Sequence, residues 1–284
     1  MSQSNLKQTI KDKKTTLLRY YLLIFVTSLI TVYPLFWMLS QSLKNPGDFY
    51  SNIWGIPEHF IFGNYTEAFS KAHLLEKFRN SSIVTFFTLL LLVPICCLAG
   101  YSFARVNFRG KKYFLLYILG GIVMPLGISA VPILTIIIQM HLYDSLVGLI
   151  LVYVAQSISF GTFLMLSFFI TIPIELEEAA LIDGCNRLQA FRKIVLPLAK
   201  PGLITLIIFS GIGTWNEFFL ASVLIRNQSL QTIPLGLVDF TSQHTTNFPV
   251  LFAAISSATV PLIVLFIVLQ RRFVEGMTAG AVKL

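Results

Sequence analysis

SIVTFFTLLLLVPICCLAGYSFA, residues Ser82 to Ala104, runs for 23 positions without a charged side chain. At about 1.5 Å of rise per residue, a helix of this length reaches about 35 Å, enough to cross a hydrocarbon layer about 30 Å thick. An extended strand is excluded there, because an open edge in lipid leaves backbone groups unpaired at several kcal/mol apiece. Outward from this stretch lie five more of the same kind, approximately Leu17 to Leu39, Tyr113 to Ile138, Leu146 to Ile170, Leu203 to Ile225 and Leu251 to Leu269. The chain is therefore predicted to be all-α and polytopic, with six transmembrane helices in a single domain over residues 1–284. Composition agrees, since 55% of residues are hydrophobic and 12% charged, whereas a soluble domain carries roughly 25% charged residues. The first apolar run exceeds twenty residues and no small-residue cleavage site follows it, so it reads as a retained span and not a removed leader.

The net charge of +8 could suggest nucleic acid, but the basic residues are not clustered with interleaved aromatics. They lie between the apolar runs. Placing the N-terminus inside puts Lys7, Lys11, Lys13, Lys14, Arg19, Arg105, Arg109, Lys111 and Lys112 in inner segments. Arg187, Arg192, Lys193, Lys200, Arg271, Arg272 and Lys283 follow, which makes sixteen of the twenty-one. Inner segments retain Lys and Arg, so both termini are predicted to be cytoplasmic, with membrane lipid as the surrounding solvent and no nucleic-acid partner. Cys96, Cys97 and Cys185 have neither CxxC spacing nor a histidine nearby and read as packing residues. His59, His73, His141 and His244 fall in outer segments without partners at ligand spacing, so no metal and no catalytic centre is predicted. A membrane enzyme is thereby disfavoured. An ion-driven carrier needs several intramembrane ionisable groups or symmetric halves, and the spans hold one carboxylate, Glu217, and no internal repeat. Pro34, Pro94, Pro125, Pro132 and Pro261 sit inside the spans, where they either kink a pathway or serve helix packing.

Between the fourth and fifth spans the chain reads ITIPIELEEAALIDGCNRLQAFRKIVLPLAKPG, Ile170 to Gly202. Pro173 suits a first helical turn, and Glu175, Glu177 and Glu178 place negative charge at the positive end of a helix dipole. Ala179 and Ala180 propagate that helix and Gly184 can end it. Asn186 with Gln189 three positions later resembles a capping box opening a second short helix, which Pro197 and Pro201 would stop. Two short helices at an angle make a compact knob. It either docks into a partner or rests on lipid headgroups, although interfacial helices favour Lys and Arg over the acids found here.

Glu178-Ala179-Ala180, then Gly184 after three residues, Ile194 after nine more, and Leu196-Pro197 resembles the EAA loop of binding-protein-dependent ABC importers. Ser42-Leu43-Lys44, Asn64-Tyr65, Asn80-Ser81, Tyr101 to Arg105, Trp215 to Phe218 and the run Gln270 to Lys283 are similar to the carbohydrate-uptake branch. The tail looks like that of the second permease of maltose-type systems, with Met277 where Leu is common and Leu284 where Gly is frequent. The resemblance implies a non-catalytic permease subunit of the bacterial inner membrane, without a cofactor. It implies four kinds of partner contact: a second homologous permease, a dimer of cytoplasmic ATP-binding subunits, an extracytoplasmic sugar-binding protein and lipid. The loop over residues 171–200 would be the coupling helix, with Glu177, Glu178, Ala179, Ala180, Asp183, Gly184, Ile194, Leu196 and Pro197 at the ATPase. The tail over 271–284 would reach the same subunits through Thr278, Ala279, Gly280 and Lys283. No GxxxxGK[ST] loop is present, so ATP hydrolysis belongs to a partner.

For the solute, Glu217 must face protein or water, since a charge at mid-bilayer costs about 2.5–3.5 kcal/mol or more. With Trp215 and Asn216 it either meets a sugar ring or fixes a helix. Tyr153, Gln156, Ser157, Ser159 and Thr162 offer hydroxyl and amide groups on the fourth span, with Gln156 the candidate for the pathway. The loop from Arg226 to Pro249 resembles, by position, the family loop that reaches a docked binding protein. An ABC permease for a non-sugar solute remains the alternative.

Overall fold

The computed structural model describes residues 3–71, 73–240 and 247–281, and among them there is no strand. The helices are α1 (Gln3–Ser42), α2 (Pro46–Ser51), α3 (Gly63–Lys71), α4 (Leu74–Arg105), α5 (Lys111–Val123), α6 (Leu126–Gln139) and α7 (Leu146–Thr171). They are followed by α8 (Glu175–Ile182), α9 (Arg187–Ala190), α10 (Leu196–Leu198), α11 (Lys200–Asn216), α12 (Phe219–Leu224), α13 (Ile233–Leu237) and α14 (Phe248–Ala281). Four stretches are long and apolar enough to cross a membrane unbroken: Thr16–Ser42, Leu74–Arg105, Leu146–Thr171 and Phe248–Val268. Two further helix pairs meet that test only when taken together and are sharply bent, by 108° between α5 and α6 and by 73° between Arg187–Leu198 and α11, each a broken span or a re-entrant loop. The all-α, polytopic reading therefore holds, with four to six candidate spans among the described residues and two of the expected straight helices broken.

The breaks have local causes. The expected third span, Tyr113 to Ile138, stops at Met124 because Pro125 forces the residue before it out of the helical region, to φ −72° and ψ 118°. The expected fifth span, Leu203 to Ile225, starts at Lys200 and stops at Asn216, where Glu217 is extended at ψ 124°. The second span starts at Leu74, eight residues before Ser82, because Lys77, Asn80 and Ser81 are buried against protein and need no aqueous loop.

The chain forms two compact units, Met1–Phe69 with His244–Ser256, and Ser70–Gln243 with Ser257–Leu284. In the first, the end of α1 is stitched to the first turn of α3. Asn64 Nδ2 donates to the carbonyls of Ser42 and Lys44, both at 2.8 Å, and Ser42 Oγ shares a hydrogen bond with Tyr65 at 2.8 Å. Lys44 Nζ donates to the Asn52 carbonyl at 2.6 Å. Burial holds that ammonium below the usual lysine range, and the nearby Asp48 carboxylate pulls it back up. Phe49 stacks on Phe248 at 5.3 Å, and Trp37 meets Phe252 edge-on at 5.3 Å. From Leu17 to Phe36 α1 is exposed on all sides, as a helix surrounded by lipid or a partner would be.

In the second unit α4 lies along α7 and α11 completes the core, with Leu92, Cys96, Leu149, Met165, Phe169 and Leu206 fully buried among them. Lipid offers no hydrophobic drive to pair two apolar helices, so close packing through small residues must supply it. At Gly100 a Cβ would fall 2.9 Å from the Leu166 nitrogen and from Met165 Cβ, and at Gly161 it would fall 2.5 Å from Cys96 Sγ. The first turns of α4 hold the segment after α12. Asn80 Nδ2 donates to the carbonyls of Ser229 (2.8 Å) and Gln231 (3.0 Å), and Ile233 N–H donates to Ser81 Oγ at 2.9 Å. Asp144 Oδ1 accepts the N–H groups of Arg226 and Asn227, at 2.8 and 2.9 Å, closing the start of α7 onto the same segment.

Gly100→Leu should cost about 1–3 kcal/mol of packing and lower the unfolding midpoint of the detergent-solubilised protein by several degrees. Gly120→Ala, with nothing within 4 Å of the added carbon, should leave the midpoint unchanged in the same scan.

Candidate functional site: a clamped knob and a polar cavity

The segment from Pro173 to Pro201 builds a knob whose joints are made by the residues singled out in the sequence. Pro173 stays outside the helix. Ile174 supplies the N-cap, and Glu175, Glu177 and Glu178 fill the first turn of α8. The helix ends on Gly184 at φ +90°, a left-handed conformation that a side chain would strain. Cys185 N–H bonds back to the Ala180 carbonyl at 3.0 Å and Gly184 N–H to the Leu181 carbonyl at 3.1 Å, the paired closure of a Schellman turn. The capping box then forms, with Asn186 Oδ1 accepting Gln189 N–H and Gln189 Oε1 accepting Asn186 N–H, each at 2.9 Å. Pro197 does not stop this second arm as expected. A π-turn over Phe191–Val195 lets the Leu196 N–H reach the Phe191 carbonyl, and the widened ladder carries the proline ring through to Leu198. The bend comes later, at Ala199, with Pro201 in the first turn of α11.

α8 has two faces with different jobs. Inward, Glu177 is 6% exposed and Ala180 is buried; Ala190, Phe191 and Val195 continue that side. Outward stand Glu175, Glu178, Ala179, Asp183 and Gly184, with Ile182 86% exposed and Leu188 beside them. Ile194 and Leu196 are half-buried and Pro197 is exposed. The outward face is thus acidic with apolar tips, while Glu177 is turned away from it.

The inward carboxylate meets the end of α4. Arg105 Nε lies 3.3 Å from Glu177 Oε2, an ion pair with side chains only 11% and 8% exposed. Tyr101 donates its hydroxyl to Glu177 Oε1. Arg105 Nη2 donates to the Ile172 carbonyl at 2.6 Å, just where α7 gives way to the knob. The Tyr101 ring also packs on Phe191 at 4.7 Å and edge-on to Phe169 at 6.0 Å. α4, α7, α8 and the π-turn therefore share one buried junction. Removing one member of such a pair leaves an uncompensated charge, at about 3–5 kcal/mol.

Farther along α7 a cavity of about 300 Å³ opens toward α11, at the lower end of the range of about 300–1,000 Å³ usual for small-molecule sites. Tyr153, Gln156, Ser157 and Phe160 line it from α7; Phe209, Ser210, Gly213, Thr214 and Glu217 line it from α11. Phe160 and Phe209 face each other across 5.9 Å. Glu217 Oε1 accepts the Leu220 N–H at 2.8 Å, and Oε2 accepts the Ala221 N–H at 3.1 Å and the Tyr153 hydroxyl at 2.5 Å. The carboxylate thus caps α12 and ties the helix break to α7 while forming part of the cavity wall. Among the described residues no basic side chain lines the cavity.

Of the three pathway candidates, Gln156 and Glu217 share this cavity. Asn216 does not line it, and its amide donates to the Ile212 carbonyl at 3.0 Å. Thr162 is buried in the core and Ser159 lies against Gly121 instead. Trp215 turns the other way, donating to the Ala258 carbonyl at 3.3 Å. The α11 wall escaped sequence reading, although its spacing of Phe209, Ser210, Gly213 and Thr214 is one helical face. Arg105 and Tyr101 were visible only as a similarity, with no role attached. In the tail, Thr278, Ala279 and Gly280 belong to the last turns of α14, with their side chains outside the described residues; Lys283 and residues 241–246 lie outside them altogether.

Comparison with known proteins follows the same lines. Residues 93–279 match the family described as binding-protein-dependent transport system inner membrane component. The chain is 37% identical over 263 residues to YurM, a probable ABC transporter permease protein of Bacillus subtilis (strain 168), covering 93% of this chain and 87% of that one. It is 32% identical over 274 residues to the diacetylchitobiose uptake system permease protein NgcG of Streptomyces coelicolor, covering 96% and 90%. In fold it resembles a chain of a bacterial ABC transporter involved in the import of the acidic polysaccharide alginate, with a TM-score of 0.77, 23% identity, and coverage of 96% and 99%.

Gly184→Val places a branched side chain in the left-handed region and should cost about 1–2 kcal/mol locally. Limited proteolysis should then cut between residues 183 and 187 well before the unaltered chain is cut, whereas Gly184→Asn, which tolerates that conformation, should resist.

Proposed function

The chain belongs to the family of binding-protein-dependent transport system inner membrane components, and we propose that it is one permease half of an ATP-driven ABC importer for a carbohydrate. The carbohydrate reading is supported by relatives named for sugar uptake, among them the diacetylchitobiose permease. The observation that carries the mechanism is the knob: an acidic, apolar-tipped face held out from the spans on a buried clamp.

In this reading residues 1–284 act as a single transmembrane permease domain with both termini and the knob in the cytoplasm. Glu178, Ala179, Ile182 and Asp183 enter a cleft on an ATP-binding subunit, the carboxylates meeting basic groups and Ile182 an apolar floor. Gly184, Ile194, Leu196 and Pro197 give the knob its shape, and Glu177 and Ala180 fasten it. The tail at Thr278, Ala279, Gly280 and Lys283 reaches the same ATPase dimer. A second homologous permease completes the pathway, and a sugar-binding protein delivers the solute from outside. The chain itself performs no bond chemistry; hydrolysis on the partner rocks the spans and exposes the cavity to each side in turn.

The cavity suits a polyol, since Phe160 and Phe209 offer apolar ring faces while Gln156, Ser157, Ser210 and Thr214 offer donors and acceptors. Glu217 already accepts three hydrogen bonds, so it positions the wall more than it grips the solute.

The test is solute uptake into proteoliposomes containing the whole importer. Uptake should require ATP and the binding protein and survive collapse of ion gradients; uptake driven by a gradient without ATP would overturn the reading. Gln156→Ala should lower uptake severalfold with the ATPase still bound. Glu178→Lys should instead weaken recovery of the ATPase with the permease pair.

A further inference from the structure

The knob could be a passive peg, carried by whatever span it follows in sequence, which is α7. The geometry points to a different attachment: we infer that Arg105, Tyr101 and Glu177 are positioning residues that harness the knob to α4, so that force received on α8 passes into the second span directly. The inference rests on the coupling reading above and goes beyond it, because the resemblance implies a contact of the loop with an ATPase, whereas Glu177 is turned inward onto α4.

Three observations converge on it. Glu177 stands in the same acidic turn as Glu175 and Glu178, both exposed, yet it alone is buried and paired. Its partner is the last residue of a 32-residue helix that starts among the buried contacts of Lys77, Asn80 and Ser81 with α13 and the segment just before it. A push at one end of such a helix is felt at the other, about 45 Å away by helical rise. The attachment is doubled, since the Tyr101 ring wedges against Phe191 while its hydroxyl holds Glu177. A hinge would be built with fewer contacts. Arg105 further grips the Ile172 carbonyl, which removes slack between α7 and α8. The charge is needed for stiffness as well as for folding: a neutral pair of similar shape can fill the same space, but it loses the attraction between two opposite charges 3.3 Å apart in a buried setting.

The experiment uses the full importer, with both permeases, the ATPase subunits and the binding protein, reconstituted in proteoliposomes. The readout is the ratio of ATPase activity with loaded binding protein to activity without it, alongside thermal stability and the amount of bound ATPase. Glu177→Gln keeps shape and the Tyr101 contact, and is expected to lower the ratio at least about fivefold, the lower end of typical coupling strengths, with the ATPase still bound. Arg105→Lys should retain most of the ratio, and Tyr101→Phe should lower it to a smaller degree than Glu177→Gln. The double variant Arg105→Gln with Glu177→Gln removes both charges, so stability should return while the ratio stays low. If the ratio returns together with stability, the pair acts through folding alone and the inference is overturned. An unchanged ratio in Glu177→Gln also overturns it. If the unaltered chain retains no ATPase subunit, the functional reading fails first and takes this inference with it.

Discussion

One buried carboxylate holds the working parts of this protein together. Glu177, taken out of water between Arg105 and the Tyr101 hydroxyl, fastens a small helix-turn-helix knob to the ends of two long spans. A buried ion pair is weak evidence for stability, because desolvation offsets most of its attraction. Its value lies in direction. It fixes which face of α8 turns inward, and with a helical period that choice sends Glu178, Ala179 and Ile182 outward. The Schellman turn at Gly184 and the capping box at Asn186 then set the angle of the second arm, which Phe191 and Val195 anchor in the core.

The same logic runs through the rest of the chain. Several short motifs that looked like isolated similarities in the sequence are halves of stitches in the structure. Ser42 and Lys44 are the residues whose carbonyls Asn64 binds; Asn80 and Ser81 receive the segment after α12; Tyr101 and Arg105 receive Glu177; Glu217 caps α12 and takes the Tyr153 hydroxyl. In a membrane, apolar burial between helices contributes little specificity, so polar stitches at the ends of spans and glycine contacts at their centres decide register. The residues that do this work are few, which is why they stand out from an otherwise interchangeable apolar background.

What was legible in the sequence follows from that division. The membrane-spanning character was written in hydropathy, and the knob's joints were written in local chemistry: glycine for a left-handed residue, Asn and Gln for a cap, acids at a helix start. The breaks at Met124 and Glu217 were not legible as breaks. Pro125 is one of five prolines within apolar stretches, and four of them, Pro34, Pro94, Pro132 and Pro261, are carried inside helices. Glu217 ends α11 through hydrogen bonds to residues that follow it and to a tyrosine 64 positions earlier. The inward turn of Glu177 was equally hidden, since its partner lies 72 positions away in sequence. The cavity wall on α11 needed the pairing of two helices before its face had anything to face.

A knob harnessed to α4 in this way would move with the second span as one body when ATP is consumed on the proposed partner subunit. Pulsed electron spin resonance on the assembled importer tests it, with one label at Leu181 on α8 and one at Leu98 on α4, comparing the nucleotide-free and ATP-bound states. This distance should stay fixed while the distance from Leu181 to the equivalent loop of the second permease changes. A Leu181 to Leu98 distance that shifts with nucleotide would mean the knob swings independently of α4, and would contradict it.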